Sequence, residues 1–340
     1  MSSSVKDFEV PWVEKYRPKT LDDVVGNVHA IESLKTISKS GNIPNFLLSG
    51  PPGTGKTSSI HALARAILGD RAKEAVLEMN ASDSRGIDVV RNKIKSFAMN
   101  KVNLPSCQHK IVILDEADAM TQDAQQALRR TMELHSSTTR FALACNNSSK
   151  IITPIQSRCL TLRFGWLSDE EILFRLIQVC GAEKVSYATD GMEAIIFTAE
   201  GDMRNALNNL QSTVAGFGHV SMESVYKVCD QPHPSVILKI LESCCEGDML
   251  GAQAKMKALY DTGYSAYDII GNVFRVCKRK LRVDEVLQLE MMREIGYVHM
   301  RIANGSSSLL QLVGLCAKLC RVSIQAKNSV DSDRKAFTKQ

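Results

Sequence analysis

The chain has 340 residues, of which 44% are hydrophobic, and its 42 lysines and arginines against 37 aspartates and glutamates give a net charge of +5. This composition excludes a collagen-like, low-complexity or wholly disordered chain. The length predicts two or three domains. No apolar run approaches the about 18 residues of a membrane span, and the first residues lack the apolar stretch of a signal peptide. We therefore expect a soluble intracellular protein.

The ten cysteines include no Cys-x-x-Cys pair, which argues against a zinc site. Cys244 and Cys245 are adjacent, whereas Cys316 and Cys320 lie one helical turn apart among leucines. We expect reduced, mostly buried thiols that act as small hydrophobic side chains.

The first two hundred residues alternate short apolar runs with helical patterns, which is typical of a parallel sheet with crossover helices. The strands are predicted at residues 46–48, from 76, at 111–114, at 141–144 and at 160–164. From residue 169 onward the patterns are helical. Pro232 and Pro234 divide this helical region, because each proline disfavours helix in the residue before it.

The segment Gly50-Pro51-Pro52-Gly53-Thr54-Gly55-Lys56-Thr57 fits the phosphate-loop pattern G-x-x-x-x-G-K-[ST] and lies between a predicted strand and a predicted helix. Glycines let backbone N–H groups turn inward around phosphate oxygens at a helix N-terminus. Lys56 would place its ammonium on the β- and γ-phosphates, and Thr57 its hydroxyl on Mg²⁺. The alternative is a glycine turn with a solvated lysine.

Two polar sites follow predicted strands. Asp115 and Glu116 come directly after the third strand, at the edge of a parallel sheet where ligands bind. Asp115 can hold hydrated Mg²⁺, and Glu116 can polarise a water for attack on the γ-phosphate. Asn146 follows the fourth strand and is expected beside Asp115. A helix N-cap and a loop-capping asparagine are the structural alternatives.

The sequence resembles the AAA+ ATPases and, within them, the small subunits of replication factor C, the eukaryotic sliding-clamp loader, from about residue 10 to about residue 325. The motifs that carry the resemblance are Pro11-Trp12-Val13-Glu14-Lys15-Tyr16-Arg17-Pro18, the phosphate loop, Asn80-Ala81-Ser82-Asp83, Arg85-Gly86-Ile87-Asp88, Leu114-Asp115-Glu116-Ala117-Asp118, Ser157-Arg158-Cys159 and Gly201-Asp202-Met203-Arg204. One departure is Ser84, where the family usually has a second acidic residue.

The resemblance implies an α/β fold: an AAA+ P-loop NTPase domain with a parallel sheet at 1–165, a small helical lid domain at 166–230 and an all-helical collar domain for oligomerisation at 231–326. Residues 327–340 are expected to form a polar, frayed tail. It also implies Mg²⁺-dependent ATP hydrolysis within a multi-subunit complex.

Several residue roles follow from the resemblance alone. Asn146 corresponds to the first sensor, which detects the γ-phosphate, and Arg204 to the second, which closes the lid over ATP. Arg158 corresponds to an arginine finger acting in trans on a neighbouring subunit's ATP, and Arg17 lies on the adenine side. From composition alone, Arg158 and Arg204 would be taken as solvated surface charges.

The implied partners are the other small replication factor C subunits and one large subunit, in a heteropentamer, together with a PCNA-type sliding clamp. The complex would open the ring-shaped clamp and load it on primer–template junctions in the nucleus. Sequence-independent contacts with primed double-stranded DNA are predicted for a basic cluster on one helix, against the alternative of a solvated face. The cluster consists of Arg85, Arg91, Lys93 and Lys95.

Two other functions are alternatives to the clamp loader. The first is an AAA+ translocase or remodeller that works as a homohexamer, but the helical third domain and the Ser-Arg-Cys motif favour the loader. The second is a mainly structural subunit with a vestigial ATP site. Intact Asp115 and Glu116 argue against it.

Overall fold

The computed structural model describes residues 10–81, 87–100, 105 and 108–337. The chain forms two compact units, Met1–Val228 and Cys229–Gln340. The division lies close to the lid–collar boundary predicted at residue 230, whereas the α/β part and the lid belong to the same compact unit.

A sheet of five parallel strands forms the centre of the first unit, in the spatial order β2-β3-β4-β1-β5. The strands are β1 (Asn45–Ser49), β2 (Val76–Asn80), β3 (Lys110–Asp115), β4 (Thr139–Cys145) and β5 (Cys159–Arg163). This arrangement confirms the predicted parallel sheet. Because the strands run in one direction, the carboxyl ends of β1, β3 and β4 meet at one edge.

Seven helices accompany the sheet in the described part of the α/β region. They are α1 (Trp12–Lys15), α2 (Val28–Ser40), α3 (Lys56–Leu68), α4 (Ala72–Ala75), α5 (Ile87–Met99), α6 (Gln122–Leu134) and α7 (Thr153–Gln156). Both faces of the sheet are covered, which is why the inner strands β1, β3 and β4 carry consecutive apolar residues, at 46–48, 111–114 and 141–145, rather than alternating ones. Along β3, Ile111 and Ile113 pack toward α2 and α3, while Val112 and Leu114 pack toward α5 and α6.

The first residue of β3 is a buried lysine, although lysine is seldom buried without partners. The Lys110 ammonium donates to the carbonyl oxygens of Phe97, Ala98 and Asn100, at 2.8, 2.6 and 2.7 Å. These carbonyls lie at the C-terminal end of α5, where intrahelical partners are lacking. Burial lowers the pKa of Lys110. Lys110 therefore caps α5 from the sheet.

The lid follows the sheet and contains four helices and two very short strands. They are α8 (Asp169–Glu183), β6 (Ser186–Tyr187), α9 (Thr189–Ala199), α10 (Met203–Phe217), β7 (His219–Val220) and α11 (Met222–Cys229). The parallel β6–β7 pair is an addition to the helical lid expected from the sequence. Two-residue strands are too short to produce a period-two pattern.

The second unit is all-helical in its described part. Its helices are α12 (Pro234–Glu246), α13 (Met249–Asp261), α14 (Ala266–Arg279), α15 (Glu285–Ala303) and α16 (Leu309–Phe337). Pro234 begins α12, in the first turn where a missing N–H costs nothing. The apolar face of this helix is buried, with Ile237, Leu241 and Cys244 fully enclosed.

Helix α16 differs from expectation in two ways. It continues to Phe337, through the segment from residue 327 that the sequence predicted as a frayed tail. Its stretch Leu309–Lys327 is also long and apolar enough, by length and composition alone, to cross a membrane. This stretch was not predicted as an apolar run because Lys318 and Arg321 interrupt it. Leu315 and Leu319 on its inner face are buried in the unit's core, as in the core helix of any helical bundle.

Candidate nucleotide site

A cleft of about 1120 Å³, open mouth included, lies at the sheet edge where β1, β3 and β4 end. The phosphate loop and acidic residues line one part, the lid a second, and the chain before α2 a third. The residues that line the cleft include Val13, Tyr16, Arg17, Gly53, Lys56, Thr57, Asp115, Glu116, Asn146, Arg175, Met203, Arg204 and Leu207. The predicted loop, acidic pair and two sensors therefore share one cavity.

Lys56 begins α3 at the floor of the cleft, and only 8% of it is exposed. Its ammonium donates to the carbonyl oxygens of Gly50 and Pro51, at 2.8 and 2.7 Å, and to the Asn146 side-chain oxygen at 3.2 Å. Burial lowers the pKa of Lys56, and the nearby Asp115 carboxylate opposes that shift. An anionic phosphate competes well for this ammonium because charge-assisted hydrogen bonds are stronger than neutral ones.

Gly53 brings the phosphate loop against the lid. Its φ is +67°, and a Cβ added there would lie 1.6 Å from the Asp202 side-chain oxygen Oδ1. The backbone N–H of Met203 donates to the Gly53 carbonyl at 3.2 Å. Asp202 also caps α10 by accepting from the N–H groups of Arg204 and Asn205. Only glycine fits this contact, which joins the loop to the helix that carries Arg204.

We expect Gly53→Ala to raise the KM for ATP about tenfold, because the added methyl group pushes Asp202 and α10 away from the loop. Gly69→Ala is the matched control: Gly69 also has a positive φ of 54°, but nothing lies within 4 Å of its Cβ position. Steady-state ATPase titrations check the result. An unchanged KM in Gly53→Ala would show that the loop–lid contact has no part in binding.

Thr57 and Asp115 form the part of the cleft suited to a metal ion. The Thr57 hydroxyl donates to Asp115 Oδ2 at 2.9 Å. Hydroxyl and carboxylate oxygens are ligands that Mg²⁺ prefers, and this ion takes only one or two protein ligands when phosphates complete its shell. Within the described residues no cluster of three or more His, Cys, Asp or Glu could hold a metal alone. The pair fits Mg²⁺ that arrives with a nucleotide.

Glu116 lies in the cleft with a left-handed backbone, at φ 51° and ψ 39°. Its N–H donates to Asp115 Oδ1 at 2.9 Å, so one Asp115 oxygen fixes the turn while the other accepts from Thr57. A non-glycine residue in this region costs about 1–3 kcal/mol. The strained turn directs the chain after β3 along the cleft.

Asn146 and Arg204 reach the cleft from opposite sides. Asn146 directly follows β4, and its side-chain oxygen accepts from Lys56. Arg204 lies in the first turn of α10, and its guanidinium makes no hydrogen bond or ion pair with another residue in the described part of the chain. On the lid side of the cleft, the Arg204 guanidinium is therefore available to bind an anion, opposite the buried ammonium of Lys56.

The cleft lining also includes residues that sequence reasoning missed. Arg17 was expected there, but Val13, Tyr16, Arg175 and Leu207 also line the cleft. The Arg175 guanidinium, on α8, donates to the Tyr16 carbonyl at 2.7 Å. An arginine within an amphipathic helix forms no pattern by itself, so the sequence carried no usable signal for it.

Arg158 does not line this cleft. It follows α7 on the surface, where its guanidinium pairs with Glu133 at 2.6 Å and donates to the Pro154 carbonyl at 2.7 Å. Glu133 also accepts from Arg129 at 3.1 Å. This placement is incompatible with action on the chain's own nucleotide and leaves action in trans as the prediction.

The structure covers the predicted DNA-binding cluster only in part. Arg85 lies outside the described residues, as does the side chain of Arg91, whose backbone belongs to α5. Lys93 and Lys95 are exposed on α5, and Ile94 between them is buried. Residues two apart on a helix do not face each other, so the two ammonium groups flank the exposed face rather than forming one row.

The chain matches two families. Residues 46–164 match the ATPase family associated with various cellular activities (AAA), and residues 232–318 match the replication factor C C-terminal domain. It is 58% identical to the probable replication factor C subunit 2 of Dictyostelium discoideum over 319 residues, 94% of either chain. It is 54% identical to replication factor C subunit 4 of Saccharomyces cerevisiae, across 95% of this chain and the whole of that protein.

Among solved structures, the chain is similar to the Thermotoga maritima RuvB Holliday junction branch migration motor. The TM-score is 0.52 at 17% identity, and the match covers 67% of this chain and 78% of RuvB. At that identity the likeness concerns the fold alone, and it supports the AAA+ architecture described above.

Proposed function

This chain belongs to the replication factor C family of AAA+ ATPases, the clamp-loader subunits of DNA replication, and we propose that it binds ATP with Mg²⁺ in the cleft between sheet and lid. The chain is thus an ATPase subunit of a clamp loader. The observation that carries the site proposal is the meeting of Lys56, Thr57, Asp115, Glu116 and Arg204 in one cavity.

In this proposal each side chain has a role set by its position. The loop N–H groups and the Lys56 ammonium bind the β- and γ-phosphates, while Thr57 and Asp115 hold Mg²⁺, which neutralises phosphate charge when bound. Glu116 accepts a proton from the attacking water. Arg204 closes the lid onto the γ-phosphate, and Asn146 orients the same group.

We further propose that Arg158 completes the ATP site of a neighbouring subunit. In this arrangement each chain carries an exposed arginine on a surface away from its own nucleotide cleft. Every interface then combines the phosphate loop of one subunit with the arginine finger of its neighbour, so that hydrolysis requires assembly. The assembly would contain other small replication factor C subunits and one large subunit. A homohexameric translocase is the competing arrangement, and the match of residues 232–318 to the replication factor C C-terminal domain favours the loader.

The proposed substrates of the loader are a PCNA-type clamp and primed double-stranded DNA, which places the chain in the nucleus. The exposed lysines of α5 support the DNA contact, because phosphate binding needs accessible cations without base readout. ATP binding would favour the clamp-opening state, and hydrolysis the state that releases clamp and DNA.

We expect the double variant Lys93→Ala, Lys95→Ala to lower the slope of log affinity against log salt by about 1–2, because each lost phosphate contact removes about 0.9. Titrating the assembled complex with primed DNA at several salt concentrations measures it. Lys39→Ala, an exposed lysine on α2 at the opposite face of the sheet, is the control. An unchanged slope in the double variant would leave these lysines as a solvated face.

Native mass spectrometry of the complex purified through this chain tests the assembly. We expect a pentamer with one copy of this chain, three related small chains and one larger chain. A homohexamer would contradict the loader assembly and support a translocating motor instead.

A further inference from the structure

The segment before the sheet, residues 11–17, is attached to three side chains of the lid, Gln211, Glu183 and Arg175. The backbone N–H of Trp12 donates to Gln211 Oε1 of α10 at 2.9 Å. The Lys15 ammonium and the Tyr16 hydroxyl both donate to Glu183 Oε1, the last residue of α8, at 2.5 and 2.6 Å. Together with the bond from Arg175 to the Tyr16 carbonyl, these contacts join the segment to two lid helices.

These contacts are partly shielded from water. Trp12 is 6% exposed, and the Glu183 side chain is 17% exposed. Hydrogen bonds from Lys15 and Tyr16 lower the pKa of Glu183. The pKa of Tyr16 is raised, mainly by burial and also by its hydrogen bond to Glu183. A carboxylate at a helix C-terminus opposes the helix dipole, so Glu183 is unfavourably placed unless such donors compensate it.

The same segment lines the nucleotide cleft through Val13, Tyr16 and Arg17. The phosphate loop and acidic pair occupy the other part of the cleft, so a nucleotide whose phosphates bind at Lys56 extends its base and ribose toward this wall. The chain then enters the α/β core at Leu21, which is buried against the sheet. One wall of the cleft is therefore formed by residues 11–17, which are fixed in place by hydrogen bonds to the lid.

We propose that Glu183, with Gln211 and Arg175, is a positioning residue that makes the base-side wall of the nucleotide cleft move with the lid. Lid closure and contact with the base are then one event. Loss of Glu183 releases the wall without touching the phosphate site. This inference rests on the proposed binding of ATP in the cleft.

The test uses the full chain and two probes: ATP, which reaches both parts of the cleft, and inorganic tripolyphosphate, which reaches only the phosphate part. We expect Glu183→Ala to weaken ATP binding about tenfold, because it removes two hydrogen bonds to a charged group, while tripolyphosphate binding changes less than about twofold. Glu183→Gln keeps an acceptor oxygen without the charge and should weaken ATP binding about threefold. Glu170→Gln, an exposed carboxylate in the first turn of α8, is the control.

Coupling between the two sides of the contact gives an independent measurement. In the double variant Tyr16→Phe, Glu183→Ala, the loss of ATP affinity should be smaller than the product of the two single losses, because the two changes remove the same hydrogen bond. Independent effects would contradict the proposed contact. A thermal unfolding midpoint measured for every variant identifies any loss of folded protein.

Each failure has its own pattern. Equal weakening of both probes by Glu183→Ala, or no weakening of either, overturns the positioning role while leaving the nucleotide site intact. Failure of the nucleotide site itself would appear in the unmodified chain, which would bind neither probe, and Lys56→Ala would then change nothing.

Discussion

Glu116→Gln is expected to lower ATP hydrolysis at this site by about 10²- to 10⁴-fold while nucleotide binding persists, because glutamine cannot accept the proton of the attacking water. The left-handed turn at Glu116 depends on backbone atoms and Asp115, so the substitution leaves the shape of the cleft unchanged. Single-turnover hydrolysis and equilibrium ATP binding, both in the assembled complex, separate the two effects.

Glu32→Gln, an exposed carboxylate on α2, is the matched control for loss of one charge. In the proposed complex other subunits would also hydrolyse ATP, so the turnover of this site has to be measured in a background where the remaining sites are inactive. Hydrolysis at the unmodified rate would show that Glu116 is not the base and would favour the mainly structural subunit.

Arg158→Ala is expected to leave ATP binding at the chain's own site unchanged and to lower hydrolysis at the adjoining site by about 10³-fold or more. The pair between Arg158 and Glu133 leaves 36% and 41% of their side chains exposed. Exposed pairs of this kind contribute at most about 1 kcal/mol, so the guanidinium can leave Glu133 for a neighbouring phosphate at little cost.

The control for this prediction is Arg129→Ala, which removes the other partner of Glu133 on the same surface. Quenched-flow hydrolysis in the assembled complex distinguishes the variants. If both arginine variants hydrolyse ATP alike, the finger assignment is wrong; if only Arg158→Ala is slow, the partner site depends on this side chain.

The phosphate end of the site could be predicted because its chemistry is local in sequence. The loop needs its glycines and Lys56 within eight positions, and Asp115 and Glu116 directly follow an apolar strand. Parallel strands bring such segments to one edge of the sheet, so the proximity of Asn146 to Asp115 could be predicted from the sequence alone. The observed bonds of Lys56 and Thr57 agree with this expectation.

The contacts that attach the base-side wall to the lid could not be predicted, because they span most of the first unit. Trp12 and Gln211 are 199 residues apart, and Tyr16 and Glu183 are 167 apart. No periodicity links such positions. Lys110 lies just before the strand predicted at 111–114, and nothing in the sequence marks the three carbonyl oxygens at a helix end that serve as its buried partners.

Through Lys110, strand β3 forms a rigid link between the C-terminal end of α5 and the Asp115–Glu116 pair. At one end of this six-residue strand the Lys110 ammonium donates hydrogen bonds to the last carbonyl oxygens of α5. At the other end Asp115 is followed directly by Glu116. Hydrogen bonding to β2 and β4 on both sides keeps the strand from bending, and an extended strand cannot stretch. A force applied to the end of α5 must therefore either break three charge-assisted bonds or be transmitted, with no intervening loop, to the carboxylates that we propose act on ATP.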